Sequence, residues 1–228
     1  MNVQRLLADM ALELEHEGTK QAVLDRVSQY ARHVLDADDA GILLMRSRSR
    51  IETPAATSSR VDEAHQLQVS FDEGPCLDAI TGKATYLAND VANDKRWPTW
   101  GPAAAEIGIR STVGVRLASR GRGYGSLNIY ANQVDAFTPD AADVAEMLAA
   151  HATAALASAE KVEGLATALE SRTVIGQAQG ILMQKFDIDS DASFEFLKRI
   201  SQHENRRLFA VAEAIVIQRE SNARPESD

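Results

Sequence analysis

From Asp140 to Phe186 no proline interrupts a helical pattern, and only Gly164, Gly176 and Gly180 weaken it. At 1.5 Å per residue this stretch makes a rod of about 70 Å. The rest of the chain is organised around it, with a mixed region before it and two shorter helical pieces after it. The rod stops before the acidic turn Asp187-Ile188-Asp189-Ser190. A second helix is expected from about Asp191 to Gln202, and a third after His203-Glu204-Asn205, with Asn205 as its N-cap.

Each piece carries one apolar stripe. On the end of the rod it is Ile175, Ala178 and Leu182, flanked by Val174 and Ile181. On the second helix it is Phe194, Leu197 and Ser201, and on the third Leu208, Val211, Ala212 and Ile215. Helices this short are marginal alone, but three single stripes can close a small shared core. On the opposite face of the rod, Arg172, Gly176, Gln179, Gly180 and Met183 fall on one arc. Two glycines inside a helix cost about 1 kcal/mol each relative to alanine. Either packing within the domain or the close approach of a partner helix or nucleic acid offsets that cost.

At these residues the chain closely resembles the ANTAR domain, a three-helix RNA-binding module of bacterial antitermination regulators. The matching residues are Ala168, Arg172, Ile175, Gln177, Ala178, Gly180, Leu182 and Met183, then Phe194, Leu197 and Ser201, then Asn205, Arg207, Leu208, Val211 and Ala212. There are two departures. Gln179 stands where the family often has a basic residue, which removes one phosphate contact, and Ser193 stands where alanine is usual. The resemblance implies that RNA stem-loops are the partner. Its matched positions, the glycine arc and the basic residues together give the candidate RNA-binding set Arg172, Gly176, Gln177, Gln179, Gly180, Met183, Lys198, Asn205, Arg206 and Arg207.

The formal net charge of −9 excludes a protein that is basic overall, so a nucleic-acid binder needs a local patch. Lys198, Arg199, Arg206 and Arg207, with Arg172 and Lys185, supply one among Asp187, Asp189, Asp191, Glu195 and Glu204. Binding should therefore be selective, with a modest sequence-independent component. No helix carries the basic, polar face of a DNA recognition helix.

The region before the rod changes period repeatedly. Residues 3–16 read as an amphipathic helix with Leu6, Leu7, Met10 and Leu14 on one side, closed by Gly18. Thr19–Leu35 follows with Val23, Val27, Tyr30, Ala31 and Val34. Gly41–Met45 and Ile51–Thr57 read as strands around the basic turn Arg46–Arg50, a solvated hairpin tip more readily than a phosphate contact. Val61–Val69 is helical or mixed, and a Gly-Pro turn opens a short helix over Cys76–Thr81. Ala84–Asn89 is a short strand, and Pro102–Ile107 gives one or two helical turns. The strands Ser111–Leu117 and Tyr124–Tyr130 finish the sheet. This is an α+β region on an antiparallel sheet. It resembles a GAF domain over roughly residues 5–158, through EGPCLDAI, STVGVRL, YGSLNIYAN and AFTPDAADVAEMLAAHATAAL.

The expected fold is thus an α+β GAF-like domain, an antiparallel sheet flanked by helices, followed by a long helix and an all-α three-helix ANTAR-like domain. The expected boundaries are 1–158 for the sensor, 159–170 for a helical coiled-coil connector, 171–220 for the RNA-binding domain and 221–228 for a disordered tail. GAF domains bind small ligands, or serve only in dimerisation and signal relay. No cofactor is evident here, and the resemblance leaves room for an unknown small-molecule ligand. Asn93-Asp94-Lys95 with Phe137 and Asp140 only loosely echoes a cyclic-nucleotide motif. Cys76, Trp97, Trp100 and Ser111 are the pocket candidates. Set against that role, Cys76 reads as a buried structural cysteine and the tryptophans as a cap on the core. In the rod, Leu148, His151, Ala155, Ser158, Val162, Leu165 and Leu169 alternate by three and four, a heptad seam for a homodimer with Leu148, Val162, Leu165 and Leu169 as its apolar members. The alternative is a single helix lying back on its own domains.

Enzymatic readings find little support. Five histidines show no ligand spacing with one another or with the lone cysteine, so no metal is expected. There is no phosphate-binding glycine loop and no GxSxG. Some GAF proteins are methionine sulfoxide reductases, but that chemistry needs a resolving thiol, and one cysteine cannot supply it within one chain. No apolar run approaches the roughly 18 residues of a membrane span, and the acidic N-terminus does not suit a signal peptide. The expectation is a cytoplasmic, signal-responsive regulator that controls termination or nascent mRNA, with an upstream signalling protein as a further partner. Its alternative is a dimerising protein-interaction module that binds no RNA.

Overall fold

The computed structural model describes residues 3–15, 19–47, 50–82, 84–119 and 122–223. They fall into two compact units, Met1–Lys161 and Val162–Asp228. The sequence readings at Gly18, at the tip of the basic turn (Arg48 and Ser49) and over 224–228 lie outside the described residues, as do the side chains of Leu6 and Leu7.

In the first unit, helices α1 (Val3–Glu15) and α2 (Lys20–Val34) come first. Thr19 caps α2, its side chain accepting from the Ala22 amide at 3.2 Å. Strands β1 (Asp39–Ser47) and β2 (Arg50–Ala56) form a hairpin. Then follow α3 (Ser59–Phe71), α4 (Pro75–Gly82), β3 (Tyr86–Ala88), a 3-10 turn at Val91–Asn93 and α5 (Trp100–Glu106). Strands β4 (Ser111–Ser119) and β5 (Arg122–Ala131) lead into α6 (Pro139–Phe186), which begins on a proline, where the missing N–H costs nothing. The five strands run in the order β2-β1-β5-β4-β3, every neighbouring pair antiparallel.

Alternation along β5 sends its side chains to two different interiors. Leu127 and Ile129 join Ile42, Leu44, Val113, Val115 and Leu117 against α1, α2 and the first part of α6. Ser126, Asn128 and Tyr130 point to the other face and are fully buried as well, because α3, α4 and α5 cover that face. Gly101 is required at the start of α5, since a Cβ there would run into the Val91 carbonyl.

The part of α6 within this unit buries Ala145, Leu148, Ala149, Ala152 and Leu156. This corrects the expected seam at one end. Leu148 is 1% exposed and belongs to the core of its own unit, so it is not offered to a partner helix. The stripe facing the sheet runs 145, 148, 149, 152, 156, and it turns His151 and Ser158 outward. Residues 161–170 are exposed on every side of the helix.

In the second unit α6 continues to Phe186, followed by α7 (Ser190–His203) and α8 (Leu208–Ala223). Ala178, Leu182, Leu197, Val211 and Ala212 form the core, with Val174, Ile175, Phe196, Ile200, Leu208, Ile215 and Val216 around it. The stripe of α7 differs from the expected one. Phe194 is 39% exposed, while Ser193 and Leu197 are buried and Phe196 and Ile200 flank them. Phe194 lies about 100° round the helix from Ser193. Ser193 faces α6, its hydroxyl 3.4 Å from the Gln179 amide nitrogen.

Candidate nucleic-acid interface

The second unit is held by short polar fastenings at its turns. Asp189 caps α7, its Oδ1 accepting from the Ala192 amide at 2.8 Å. The Gln179 amide reaches from α6 and donates to the Ser190 carbonyl at 3.0 Å, while Ser193 donates to the same carbonyl at 2.7 Å. Gln179, one of the expected RNA contacts, thus spends its side chain on closing the α6–α7 turn. Asn205 is not the N-cap of α8. Its φ of 51° places it in the left-handed region just past α7, and the Arg207 carbonyl accepts the first helical bond of α8, from Val211 at 3.2 Å. Asparagine tolerates that conformation better than most residues, so it ends one helix rather than starting the next.

The cations divide by how they are held. Arg206 pairs with Glu204 at 2.9 Å and donates to the Ala210 carbonyl at 3.0 Å. Lys198 pairs with Glu195 at 3.1 Å, and Lys185 lies 5.4 Å from the centre of the Phe186 ring. Arg172, Arg199 and Arg207 are exposed and form no ion pair among the described residues.

The glycine arc is open. A Cβ at Gly176 or Gly180 would meet nothing within 4 Å, so no neighbouring element of the described structure requires either glycine. Met183 is 36% exposed on the same arc. Beside it, Gln177, Gly180, Ile181 and Gln184 of α6 face Val216 and Arg219 of α8 across an open groove of about 340 Å³. The spacing 177, 180, 181, 184 is one helix face, a signal present in the sequence. The contribution of α8, Val216 and Arg219, was not read from it.

The four pocket candidates of the first unit are core residues. Trp97 and Trp100 meet edge to face at 5.8 Å. Their indole N–H groups donate to Asp78 at 2.7 Å and to the Ala64 carbonyl at 3.2 Å. The Ser111 hydroxyl is fully buried, 2.6 Å from the Gln133 carbonyl. Gln68 brackets Cys76, accepting from its amide at 2.8 Å and donating to its sulfur at 2.6 Å, and Tyr130 Oη lies 3.3 Å from the same sulfur. Burial pushes the Cys76 thiol up to about 12, so at neutral pH it is an un-ionised thiol sealed from solvent. Burial likewise raises Tyr130.

Next to this cluster His65 is buried between Thr53 Oγ1, 2.9 Å from Nδ1, and the Asn128 amide, 3.2 Å from Nε2. Burial lowers this imidazole to about 3. A cavity of about 470 Å³ between β2 and α3 is lined by Leu43, Ile51, Thr53, Asp62, His65, Gln66, Val69 and Ser70, none of them among the four candidates. No group of three or more His, Cys, Asp or Glu among the described residues is placed to hold a metal ion. No helix among the described residues is long and apolar enough to cross a membrane.

A five-stranded antiparallel sheet covered by helices on both faces is joined by one long helix to a three-helix unit, the architecture of a two-domain protein. Family models match both parts: a GAF domain over residues 17–157 and an ANTAR domain over residues 163–216. The chain belongs to the GAF domain family and carries a C-terminal ANTAR domain, the composition of a signal-responsive regulator.

Among solved structures, the GAF domain of the Acinetobacter phosphoenolpyruvate-protein phosphotransferase is 17% identical, with a TM-score of 0.57 over 71% of this chain and 97% of that one. The free methionine-R-sulfoxide reductase of Neisseria meningitidis, solved with its substrate, is 18% identical, with a TM-score of 0.54 over 70% of this chain and 90% of that one. The photosensory core module of the Stigmatella aurantiaca phytochrome is 10% identical, with a TM-score of 0.61 over 87% of this chain and 44% of that one. At such identities the likeness is one of fold. No curated protein sequence matches the chain.

Proposed function

We propose that the protein is a cytoplasmic, signal-responsive RNA-binding regulator that acts by transcription antitermination or control of nascent mRNA. The GAF domain takes the input, a small molecule or a partner protein, and the ANTAR domain binds RNA stem-loops. The observation that carries this reading is the open glycine arc. Gly176 and Gly180 weaken α6, yet no side chain or backbone of the described structure uses the space they leave. A ligand that needs the helix backbone bare accounts for them, and the family match points to RNA as that ligand.

The protein acts as a homodimer joined along α6. Val162, Leu165 and Leu169 are 58%, 63% and 69% exposed at seam spacing, and a second copy of the same helix would cover them. One three-helix unit offers a small, weakly charged surface. Two on a shared rod make the second contact intramolecular and raise avidity by roughly 10² to 10⁴ for paired stem-loops.

The test is crosslinking in cells followed by sequencing of the recovered RNA, then titration of a recovered hairpin at several salt concentrations. Arg207→Ala should weaken binding and lower the slope of log affinity against log salt by about 1. Arg206→Ala should lower it less, because Glu204 and the Ala210 carbonyl already hold that side chain. Recovery of no RNA above an uncrosslinked control would refute the reading.

A further inference from the structure

One margin of the sheet is only partly covered by its own strands. β3 pairs with β4 at Tyr86–Gly114, Leu87–Val113 and Ala88–Thr112. Among the described residues, β4 then runs on through Val115–Ser119 with a strand partner on its β5 side alone. This segment, VRLAS, holds no proline, so each of its residues keeps a backbone donor and an acceptor. An unpaired strand edge is a template for another strand. Beside it lies a groove of about 290 Å³ whose walls come from both faces of the sheet. Ala149 and Ala150 of α6 stand on the side of Val115, and Arg116 and Ala118 belong to the opposite row of β4. A neighbouring strand would sit about 4.8 Å out from β4, in the space these small residues leave. Arg116 supplies a second observation. Its Nε is closed off from solvent without a hydrogen-bond partner, and its guanidinium forms no ion pair among the described residues. Glu146, the acid of the same groove, accepts from the Thr85 hydroxyl instead. A buried donor without a partner is costly, and a carboxylate brought in along β4 would satisfy it.

We propose that a partner protein docks here by strand addition: an extended segment pairs with Val115–Ser119 and brings an acidic residue to Arg116. Successive side chains of such a strand point to opposite faces. The acid falls on the Arg116 side. Its sequence neighbours fall on the α6 side, where Ala149 and Ala150 leave space for small or β-branched residues. Main-chain hydrogen bonds supply the affinity, and the two rows of side chains supply the specificity. The proposal rests on the reading of the first unit as an input domain and gives that input a form, a peptide segment of a partner rather than a small molecule.

The test pans a displayed library of short linear peptides against the full chain and titrates a synthetic copy of the selected sequence by fluorescence anisotropy. The selected peptides should share one acidic residue flanked by small or β-branched ones. Replacing that acid with its amide should weaken binding by about 10- to 100-fold, the range of a hydrogen bond to a charged group. In Arg116→Ala the acid and the amide should bind alike. N-methylation of alternate peptide residues should split into two results: the set whose N–H groups face β4 abolishes binding, and the other set leaves it intact. These changes lie in the peptide, so the fold of the protein is untouched by them. If the two N-methylated sets bind alike, or the acid-to-amide change has no effect, the segment is not an added strand meeting Arg116 and the proposal is overturned. If the peptide turns dimers into monomers in sedimentation, a second copy occupies the edge and the proposal is again overturned. If no peptide is selected, the edge is not a docking site, while the input reading keeps a small molecule as its signal. If the peptide binds as expected but leaves the affinity for a hairpin RNA unchanged, the docking site stands and the input reading fails.

Discussion

His65 offers the most direct quantitative test of how the sensor domain is built. Its imidazole is 2% exposed, with Thr53 and Asn128 on its two nitrogens and the Tyr130 ring 6.1 Å away. Burial holds it near 3, against about 6.5 in an unfolded chain. Above pH 6.5 both states are neutral at this residue and its stability contribution is intact. Below that pH the unfolded chain takes up a proton that the folded protein refuses, so stability falls as pH drops toward about 3. The loss is about 1.4 kcal/mol per pH unit, or about 2 kcal/mol between pH 7 and pH 5. His65→Gln removes the titrating group and keeps an amide for the same two partners.

The assay is urea unfolding at about pH 7 and pH 5, followed by tryptophan fluorescence, with stability read by linear extrapolation. Both tryptophans of the chain, Trp97 and Trp100, are buried in the first unit, so the signal reports on that unit alone. Whatever offset the variant shows at pH 7, its stability should fall between the two pH values by about 2 kcal/mol less than that of the wild type. Contributions from exposed groups cancel in that difference. Equal losses in the two proteins would mean that His65 is not held neutral by burial, and the argument would be wrong.

Leu165→Glu, at a position 63% exposed, should leave the fold intact and yield monomers or dimers joined only through the GAF domains. It should bind a two-hairpin RNA no more tightly than a one-hairpin RNA, and a retained preference would rule out the α6 seam. Leu197→Ala empties the centre of the small core, where the residue is fully buried. It should cost about 2–5 kcal/mol, enough to unfold a three-helix unit, seen as loss of helicity while the tryptophan transition stays in place. Cys76 should resist a thiol reagent at neutral pH in the folded protein and react fully in urea. Because its thiol is raised to about 12, the domain should lose stability as pH rises above the unfolded value near 8.5.

Local rules carried much of this protein. Helix starts and stops follow from proline, glycine and capping residues, so α2, α6 and the turn at Asp187 lie where periodicity puts them. The strand sequence and the family resemblance were legible for the same reason, since backbone propensity and side-chain alternation act over a few residues. What covers a face is not local. Along β5 the residues Ser126, Asn128 and Tyr130 look like a solvent-facing row, yet helices distant in sequence bury them and supply their partners, His65, Gln68 and Cys76. Leu148 reads from its spacing as a seam residue, and only the packing of α6 on the sheet assigns it to the core. Phe194 is 39% exposed while its neighbour Ser193 is fully buried, an outcome that the apolar period of α7 does not give. The glycine arc was visible in the sequence with two explanations. Its emptiness, and the groove it shares with Val216 and Arg219 of α8, exist only once two helices far apart in the chain are folded side by side.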